Sequence, residues 1–241
     1  MDTGLEPVQN PLLEAMFKVG AHFGYGRSRR HPSAVPFIFG IKNRVEIFDL
    51  EKTIEALAIA KAVTASFAKA GKTVLFVGGK SEASDAVKLG ALTVGMPYVS
   101  GRWIGGTLSN FANIRARVDM LLDLTSKREK GELNKYTKKE RLLIDRKIDK
   151  LEVMFRGLVP LTALPQALFV IDPKKEHNAV AEAKKVGIPV IALASSDCDM
   201  KGIEYAIPAN DGLMSSIKFF VDEIVAAYRE GKGALSETTT K

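Results

Sequence analysis

The feature that most constrains the fold is a repeated unit, a short apolar run followed by a helical stretch. Apolar runs of strand length occupy residues 73–77, 167–171 and 188–193. Because these runs are continuous and uncharged, with apolar residues on both alternating faces, each predicts a strand covered on both faces. A helix is predicted from Ser81, and another with Asp172 as N-cap and Pro173 as its first residue. Repeated units of this kind predict an α/β fold, a mainly parallel, doubly wound sheet with helices on both faces.

Residues 107–156 have a different pattern. Apolar side chains recur every three or four residues along two stretches, Ile114 to Thr125 and Ile144 to Phe155. Such narrow stripes are typical of coiled-coil helices. Thr137 and Glu140 form a capping-box pattern at the start of the second helix. The sequence therefore predicts an antiparallel coiled-coil hairpin inserted into the α/β domain.

The remaining segments complete a predicted domain organisation. Residues 37–39 and 45–48 predict a β-hairpin, followed by a helix capped by Asp49 and ended by Gly71. The last helix is predicted over residues 213–228. Residues 1–11 and 233–241 are predicted to be loose termini. The α/β domain then comprises residues 12–106 and 157–232.

Basic residues are concentrated in two parts of the chain. The whole chain has 35 Lys and Arg against 28 Asp and Glu, a net charge of +7. Residues 18–44 hold six basic and no acidic residues, residues 112–156 hold thirteen basic and eight acidic, and the rest sums to −4. Two basic surfaces on a nearly neutral or acidic body are typical of a protein that binds a phosphate backbone. For the hairpin, an ordinary solvated helix surface explains the charge equally well.

Several classes of protein are excluded by the sequence. The single cysteine, Cys198, cannot form an internal disulfide, which argues against a disulfide-stapled secreted domain. The longest uncharged run, residues 157–171, is shorter than a membrane span and contains two prolines. The first residues resemble neither a secretory signal nor a transit peptide. We expect a cytoplasmic protein, although a processed organellar chain would look the same.

The sequence matches part of one enzymatic motif, the phosphate-binding loop. Residues 79–81, Gly-Lys-Ser, match the end of the pattern G-x-x-x-x-G-K-[ST], but Val74 stands where its first glycine belongs. Gly24 and Gly26 are not followed by the third glycine of a dinucleotide fingerprint. A nucleotide-binding or phosphoryl-transfer enzyme is the alternative function, and it requires Lys80 to bind ligand.

The sequence spacing of the histidines and the cysteine supports neither a metal site nor an acid–base pair. His22, His31, His177 and Cys198 form no pair with the spacing of a known ligand motif. Cys198 follows a predicted strand, but its position alone favours a structural cysteine over a nucleophile. We expect neither a catalytic residue nor a bound metal.

A glycine-rich segment with the only tryptophan precedes the hairpin, at residues 101–111. Trp103 in such a segment is predicted to anchor the hairpin on the sheet, with Gly105 and Gly106 allowing close backbone approach. Arg102 and Asn110 are predicted to face outward, where Arg102 can meet a phosphate.

Five segments, in order along the chain, together carry a resemblance to one family. They are His22-Phe23-Gly24, Phe37-Ile38-Phe39-Gly40, Ile47-Phe48-Asp49-Leu50, Arg102-Trp103-Ile104-Gly105-Gly106-Thr107-Leu108 and Leu164-Pro165-Gln166-Ala167-Leu168-Phe169-Val170-Ile171-Asp172-Pro173-Lys174-Lys175-Glu176-His177. In combination they resemble the bacterial-type protein two of the small ribosomal subunit. The sequence departs from the family pattern at Tyr25, His31 and Met200.

The resemblance implies a flavodoxin-like or Rossmann-like sheet with a protruding coiled-coil hairpin, in a non-enzymatic structural component bound to small-subunit ribosomal RNA (rRNA). It also implies neighbouring small-subunit proteins as partners, including the mRNA-binding ribosomal protein one. No cofactor, membrane or small-molecule substrate is expected. A chain whose hairpin makes protein contacts only is a third hypothesis, which predicts weak RNA affinity.

Candidate RNA-binding residues come from the two basic regions and the glycine-rich segment, as side chains that contact phosphate rather than read sequence. They are Lys18, His22, Arg27, Arg29, Arg30, His31, Lys42, Arg44, Arg102, Asn110, Arg115, Arg117, Lys138 and Lys139. Trp103, Gly105 and Gly106 are the predicted structural anchors.

Overall fold

A computed structural model describes residues 10–238 of the chain. Its helices are α1 (Pro11–Lys18), α2 (Leu50–Lys69), α3 (Ser81–Val94), α4 (Phe111–Glu129), α5 (Lys138–Phe155), α6 (His177–Val186) and α7 (Met214–Thr238). Its strands are β1 (Phe23–Gly26), β2 (Ile38–Lys42), β3 (Val45–Phe48), β4 (Val74–Val77), β5 (Tyr98–Val99), β6 (Ala167–Ile171), β7 (Val190–Ala194) and β8 (Tyr205–Pro208).

The larger sheet has five parallel strands in the order β5-β4-β6-β7-β8. This is the flavodoxin-like order. Successive residues of β6 alternate between two cores: Phe169 packs in the core with α2, α3 and α7, whereas Leu168 and Val170 pack in the core with α4, α5 and α6. The prediction of a parallel sheet covered on both faces is therefore confirmed.

A smaller antiparallel sheet, in the order β1-β3-β2, precedes the large one. The predicted hairpin forms between β2 and β3, and its turn residues Asn43 and Arg44 have φ of 51° and 66°. Positive φ at both positions is the geometry of a tight two-residue hairpin turn. Asp49 then accepts a hydrogen bond from the Glu51 amide and caps α2, as predicted.

Helices α4 and α5 lie between β5 and β6 in the sequence and contribute to one core with the sheet. Ile114 and Val118 of α4 and Ile148 and Leu151 of α5 are buried there with Leu75 of β4. The predicted capping box is present at the start of α5, where the Thr137 amide donates to Glu140 Oε2 and the Glu140 amide to Thr137 Oγ1.

Two predicted helix boundaries are wrong. Helix α6 begins at His177, because Asp172 has φ of 59° and its carboxylate is bonded to Lys80 from another element. Helix α7 continues to Thr238 instead of ending at Tyr228. Its Gly231 lies so close to Ala65 of α2 that a side chain would not fit, and this contact extends the helix packing beyond Tyr228.

The termini were predicted to be loose over residues 1–11 and 233–241. Residues 1–9 and 239–241 lie outside the described part of the chain. Asn10 caps α1, which begins at Pro11, by accepting a hydrogen bond from the Leu12 amide at 3.1 Å.

Candidate nucleic-acid interface

The small sheet places four basic side chains on an exposed surface, which we call the N-terminal basic surface. Arg27 and Arg29 lie in a short 3₁₀ turn directly after β1, Lys42 ends β2, and Arg44 lies in the β2–β3 turn. Gly26 pairs with Val45, so the Arg27 turn and the Arg44 turn lie at the same end of the sheet. All four side chains are exposed, as is Lys18 of α1, whose Nζ lies 4.0 Å from Glu14 Oε2.

Two other candidates of this region have internal partners. Arg30 Nη1 lies 3.2 Å from Oε1 of Glu46, a fully buried carboxylate of β3. His31 caps the 3₁₀ turn Pro32–Phe37 by accepting from the Ser33 amide at 3.3 Å, and its Nδ1 lies 3.8 Å from Asp199. In the free chain, Arg30 and His31 therefore hold loops in place, and Arg30 adds little unneutralised charge.

His22 lies in an aromatic cluster. Its ring stacks on Phe17 at 4.4 Å between centroids and contacts Phe23 at 4.0 Å. Burial, with a further contribution from Lys42, lowers the pKa of His22, so the ring is neutral at neutral pH. Phe17 and Phe39 nevertheless remain 60% and 80% exposed. This exposed aromatic surface has no counterpart among the candidates predicted from the sequence.

The glycine-rich segment is fixed by one carboxylate of α6. Glu182 Oε1 accepts hydrogen bonds from Trp103 Nε1 at 3.2 Å and from the Gly106 amide at 2.7 Å. Its Oε2 accepts from the amides of Leu108 and Ser109 at 2.9 and 3.1 Å. Burial opposes ionisation of Glu182, but these donors outweigh it and lower its pKa. Sequence reasoning missed Glu182, because no local pattern distinguishes it from a solvated helix glutamate.

The predicted anchors and the predicted RNA contacts of the glycine-rich segment differ in exposure. Trp103 is 7% exposed, whereas Arg102 and Asn110 are exposed beside it. Gly105 has open space around its backbone, while Gly106 has φ of +91° and needs glycine. Arg102 is therefore held at the surface by a fixed loop.

The hairpin candidates also separate into two kinds. Arg115 donates to the carbonyl oxygens of Val159 and Leu161 at 3.3 and 3.1 Å and pairs with Asp119 at 2.8 Å, so it ties α4 to the segment after α5. Arg117, Lys138 and Lys139 are exposed. Among the four candidates of this region, these three have no ion pair within residues 10–238 and present their donors to a partner.

The turn that resembles a phosphate-binding loop is closed by the protein's own side chains. Lys80 Nζ lies 3.2 Å from Asp172 Oδ2, 3.4 Å from Asp211 Oδ1 and 3.5 Å from Tyr25 Oη. The Gly79 amide donates to Glu176 Oε1 at 3.2 Å. Both groups that would hold a phosphate are thus already bonded internally.

These contacts set the charges of the turn. Burial acts to lower the pKa of Lys80, but attraction by Asp211 and Asp172 outweighs it and raises the pKa well above its usual range. Burial, together with the charge of Asp172, raises the pKa of Asp211 to about 7 despite Lys80. Lys80 is therefore a buried counter-ion and is charged at neutral pH.

Cys198 is buried beside this cluster. Its Sγ lies 3.9 Å from Asp172 Oδ1, and burial with the nearby carboxylates raises the pKa of the thiol far above its usual range. A thiol that stays protonated is a poor nucleophile. Asp172, Cys198 and Asp211 bring ligand atoms within 4.8 Å of one another, as a metal site would require, but the Lys80 ammonium bonds both carboxylates.

The fold and these sites together define an α/β protein in which ion pairs between its own side chains occupy the carboxyl ends of the parallel strands, and in which exposed basic residues lie on the outer surface. That is the arrangement of a binding or structural protein. A family model described as Ribosomal protein S2 matches residues 16–231. The chain belongs to the ribosomal protein S2 family, a family of structural proteins of the small ribosomal subunit that serve translation and are not enzymes.

Curated relatives agree with the family match over most of the chain. The small ribosomal subunit protein uS2 of Roseiflexus sp. (strain RS-1) is 43% identical over 220 residues, which cover 91% of this chain and 84% of the relative. The uS2 proteins of Coprothermobacter proteolyticus and Chloroflexus aggregans are 41% and 39% identical, each over 91% of this chain and over 82% and 92% of the relative. Within residues 10–238, no helix has both the length and the hydropathy needed to cross a membrane.

Proposed function

We propose that this chain binds small-subunit rRNA through the N-terminal basic surface and thereby supports assembly of the small ribosomal subunit in the cytoplasm. The single observation that carries the proposal is the exposure of Arg27, Arg29, Lys42 and Arg44 on one small sheet. Within the described residues, none of the four forms an ion pair. Unpaired cations on a rigid surface are available to neutralise phosphates.

Helices α4 and α5 form the second element of the proposal, as a coiled-coil arm of residues 107–156 inserted between the two parts of the α/β domain, 12–106 and 157–232. The burial of Val118 and Ile148 against each other's helices supports this reading. Arg117, Lys138 and Lys139 are secondary RNA contacts of the arm. Leu142 and Leu143 are half exposed, which suits contact with a neighbouring molecule.

Protein partners are the third element. The exposed aromatic surface around Phe17, Phe23 and Phe39 is the best candidate for docking a neighbouring small-subunit protein, including the mRNA-binding protein one. Exposed aromatic side chains that lie together favour protein contacts, because burying them yields much apolar area.

The proposal is tested by filter binding of the full-length protein to purified small-subunit rRNA over a range of KCl concentrations. Replacing Arg27, Arg29 and Arg44 together by Ala removes three phosphate contacts, and we expect the slope of log affinity against log salt to become shallower by about 2 to 3. The matched control replaces Lys69, Lys218 and Lys232, which are exposed on α2 and α7. Equal slopes for the two triple variants would contradict the proposal.

A further inference from the structure

A cleft of about 710 Å³ lies between the glycine-rich loop 102–109 and α6, and it reaches the turns that follow β4 and β6 at Gly79 and Lys175. In doubly wound sheets, ligands bind at this position, where the strand order reverses direction. We propose that the cleft binds a backbone phosphate of the rRNA through Arg102, Lys175 and Lys185. The inference rests on the proposed function and adds a contact site outside the N-terminal basic surface.

The charges that line the cleft favour an anion. Arg102, Lys175 and Lys185 are exposed, and none of them forms an ion pair with a residue in the range 10–238. The two carboxylates of the lining, Glu176 and Glu182, accept hydrogen bonds from backbone amides. The amide donors favour the ionised form of Glu182, whereas burial raises the pKa of Glu176. Three cations against two carboxylates leave the lining with a net positive charge of at least one, which favours an anion.

The three cations come from separate, fixed elements. Arg102 belongs to the loop that Glu182 holds, and Lys185 lies in the last turn of α6. The Lys175 amide donates to Asp172 Oδ1 at 3.0 Å, which fixes the turn after β6. Because the supporting backbone is ordered before binding, a phosphate loses little affinity to ordering of the site.

The lining favours a backbone phosphate over a free nucleotide. Trp103 is the aromatic residue of the lining, and at 7% exposure it offers no face on which a base could stack. The Gly79-Lys80 turn, where a nucleotide phosphate would enter, is filled by Glu176 and the Lys80 ion pairs. A phosphodiester passing over the cleft can use the three cations without a base pocket.

The test is the double variant Lys175→Ala, Lys185→Ala of the full-length protein, measured by filter binding to purified small-subunit rRNA at several KCl concentrations. Loss of two phosphate-binding side chains should make the slope of log affinity against log salt shallower by about 1.4 to 1.8. The matched control is the double variant Lys69→Ala, Lys218→Ala, which removes the same charge from α2 and α7. Circular dichroism of both variants checks that they fold.

The outcomes separate this inference from the function on which it rests. If the wild-type protein does not bind rRNA, the proposed function fails as well. If it binds and only the Arg27, Arg29 and Arg44 triple variant changes the slope, the cleft inference alone is overturned. Calorimetric titration with inorganic pyrophosphate distinguishes a free phosphate ligand: saturable submillimolar binding that disappears in the Lys175, Lys185 variant would overturn the assignment to RNA.

Discussion

Lys80 illustrates how a single side chain limits what this fold can do. It follows a buried strand and a Gly-Gly turn, where a nucleotide-binding protein would place a phosphate ligand. Its ammonium is bonded to Asp172 and Asp211, and the Lys80 side chain is only 13% exposed, whereas the Asp211 side chain is fully buried. Because the buried carboxylates already supply the negative charge, the turn is a structural ion-pair cluster.

The variant Lys80→Met removes the cation and leaves the two carboxylates without a counter-ion. Breaking one side of a buried pair costs about 3 to 5 kcal/mol when the remaining charge stays ionised. Because the pKa of Asp211 is already about 7 beside Lys80, Asp211 is protonated in the variant at pH 7, and we expect a smaller loss in the free energy of unfolding, about 1 to 3 kcal/mol. The raised pKa keeps Lys80 charged at neutral pH and until the pH exceeds that pKa, so the effect is present at pH 7. Urea denaturation measures the loss.

The control for that measurement is Lys88→Met on the same helix α3, where the side chain is exposed. We expect a change of less than about 0.5 kcal/mol there. Equal stability of the two variants would show that the Lys80 cluster does not stabilise the fold.

Residue pairing was predictable only where a local pattern exists. Glu46 lies in β3 on the same side as the buried Phe48, so alternation along the strand could have identified it as an inward charge that needs a partner. That partner, Arg30, was instead predicted to meet RNA. Glu182 carries no such signal, because its donors are more than seventy residues away in the sequence.

At the scale of elements, strands with two buried faces were predictable and edge strands were not. The runs that became β4, β6 and β7 are apolar at every position and are fully buried. Strand β8 ends in Pro208 and β5 has two residues, and both lie at edges of the sheet. Proline is tolerated at a sheet edge, so composition gave no strand signal there.

The start of α6 was mispredicted for a related reason. An Asp-Pro pair after a strand is a common helix start, and Asp172 does accept a hydrogen bond from the Lys175 amide. Its second carboxylate oxygen is held by Lys80 at 3.2 Å, an interaction that no local pattern reveals. Long-range ion pairing therefore overrides the local helix preference.

The loop that carries Arg102 provides a test at this scale. The carboxylate of Glu182 accepts at least four hydrogen bonds from this loop, two on each oxygen. The variant Glu182→Gln removes the negative charge and replaces one of the two acceptor oxygens by an amide group, which donates. Since a hydrogen bond to a charged group contributes about 1.5 to 3 kcal/mol, we expect amide exchange at Gly106, Leu108 and Ser109 to speed up about tenfold or more. Hydrogen–deuterium exchange with mass spectrometry of residues 101–110 measures it.

Glu129→Gln, an exposed site at the end of α4, is the matched control and should leave the exchange of residues 101–110 unchanged. If Glu182→Gln behaved in the same way, the loop would be held by its own packing, for example by buried Trp103, and not by the carboxylate.

At the scale of the whole molecule, the net positive charge is concentrated in two regions of the chain. Residues 18–44 carry a net charge of +6 and residues 112–156 a net charge of +5, whereas the whole chain carries +7. The rest of the chain is therefore negative overall. The structure places the first of these regions on a small sheet and the second on two helices beside the main sheet. The chain belongs to a family of structural ribosomal proteins, and exposed positive charge is what the rRNA contact proposed above requires.

The central claim is that these basic surfaces hold the chain on the small ribosomal subunit. The most direct measurement is sedimentation of the protein from its native lysate through sucrose gradients at low and moderately high salt, with blotting of every fraction. We expect co-migration with the small subunit at low salt, and a larger released fraction as salt rises, because counterion release drives phosphate binding. A protein that stays at the top of the gradient at low salt would contradict the account.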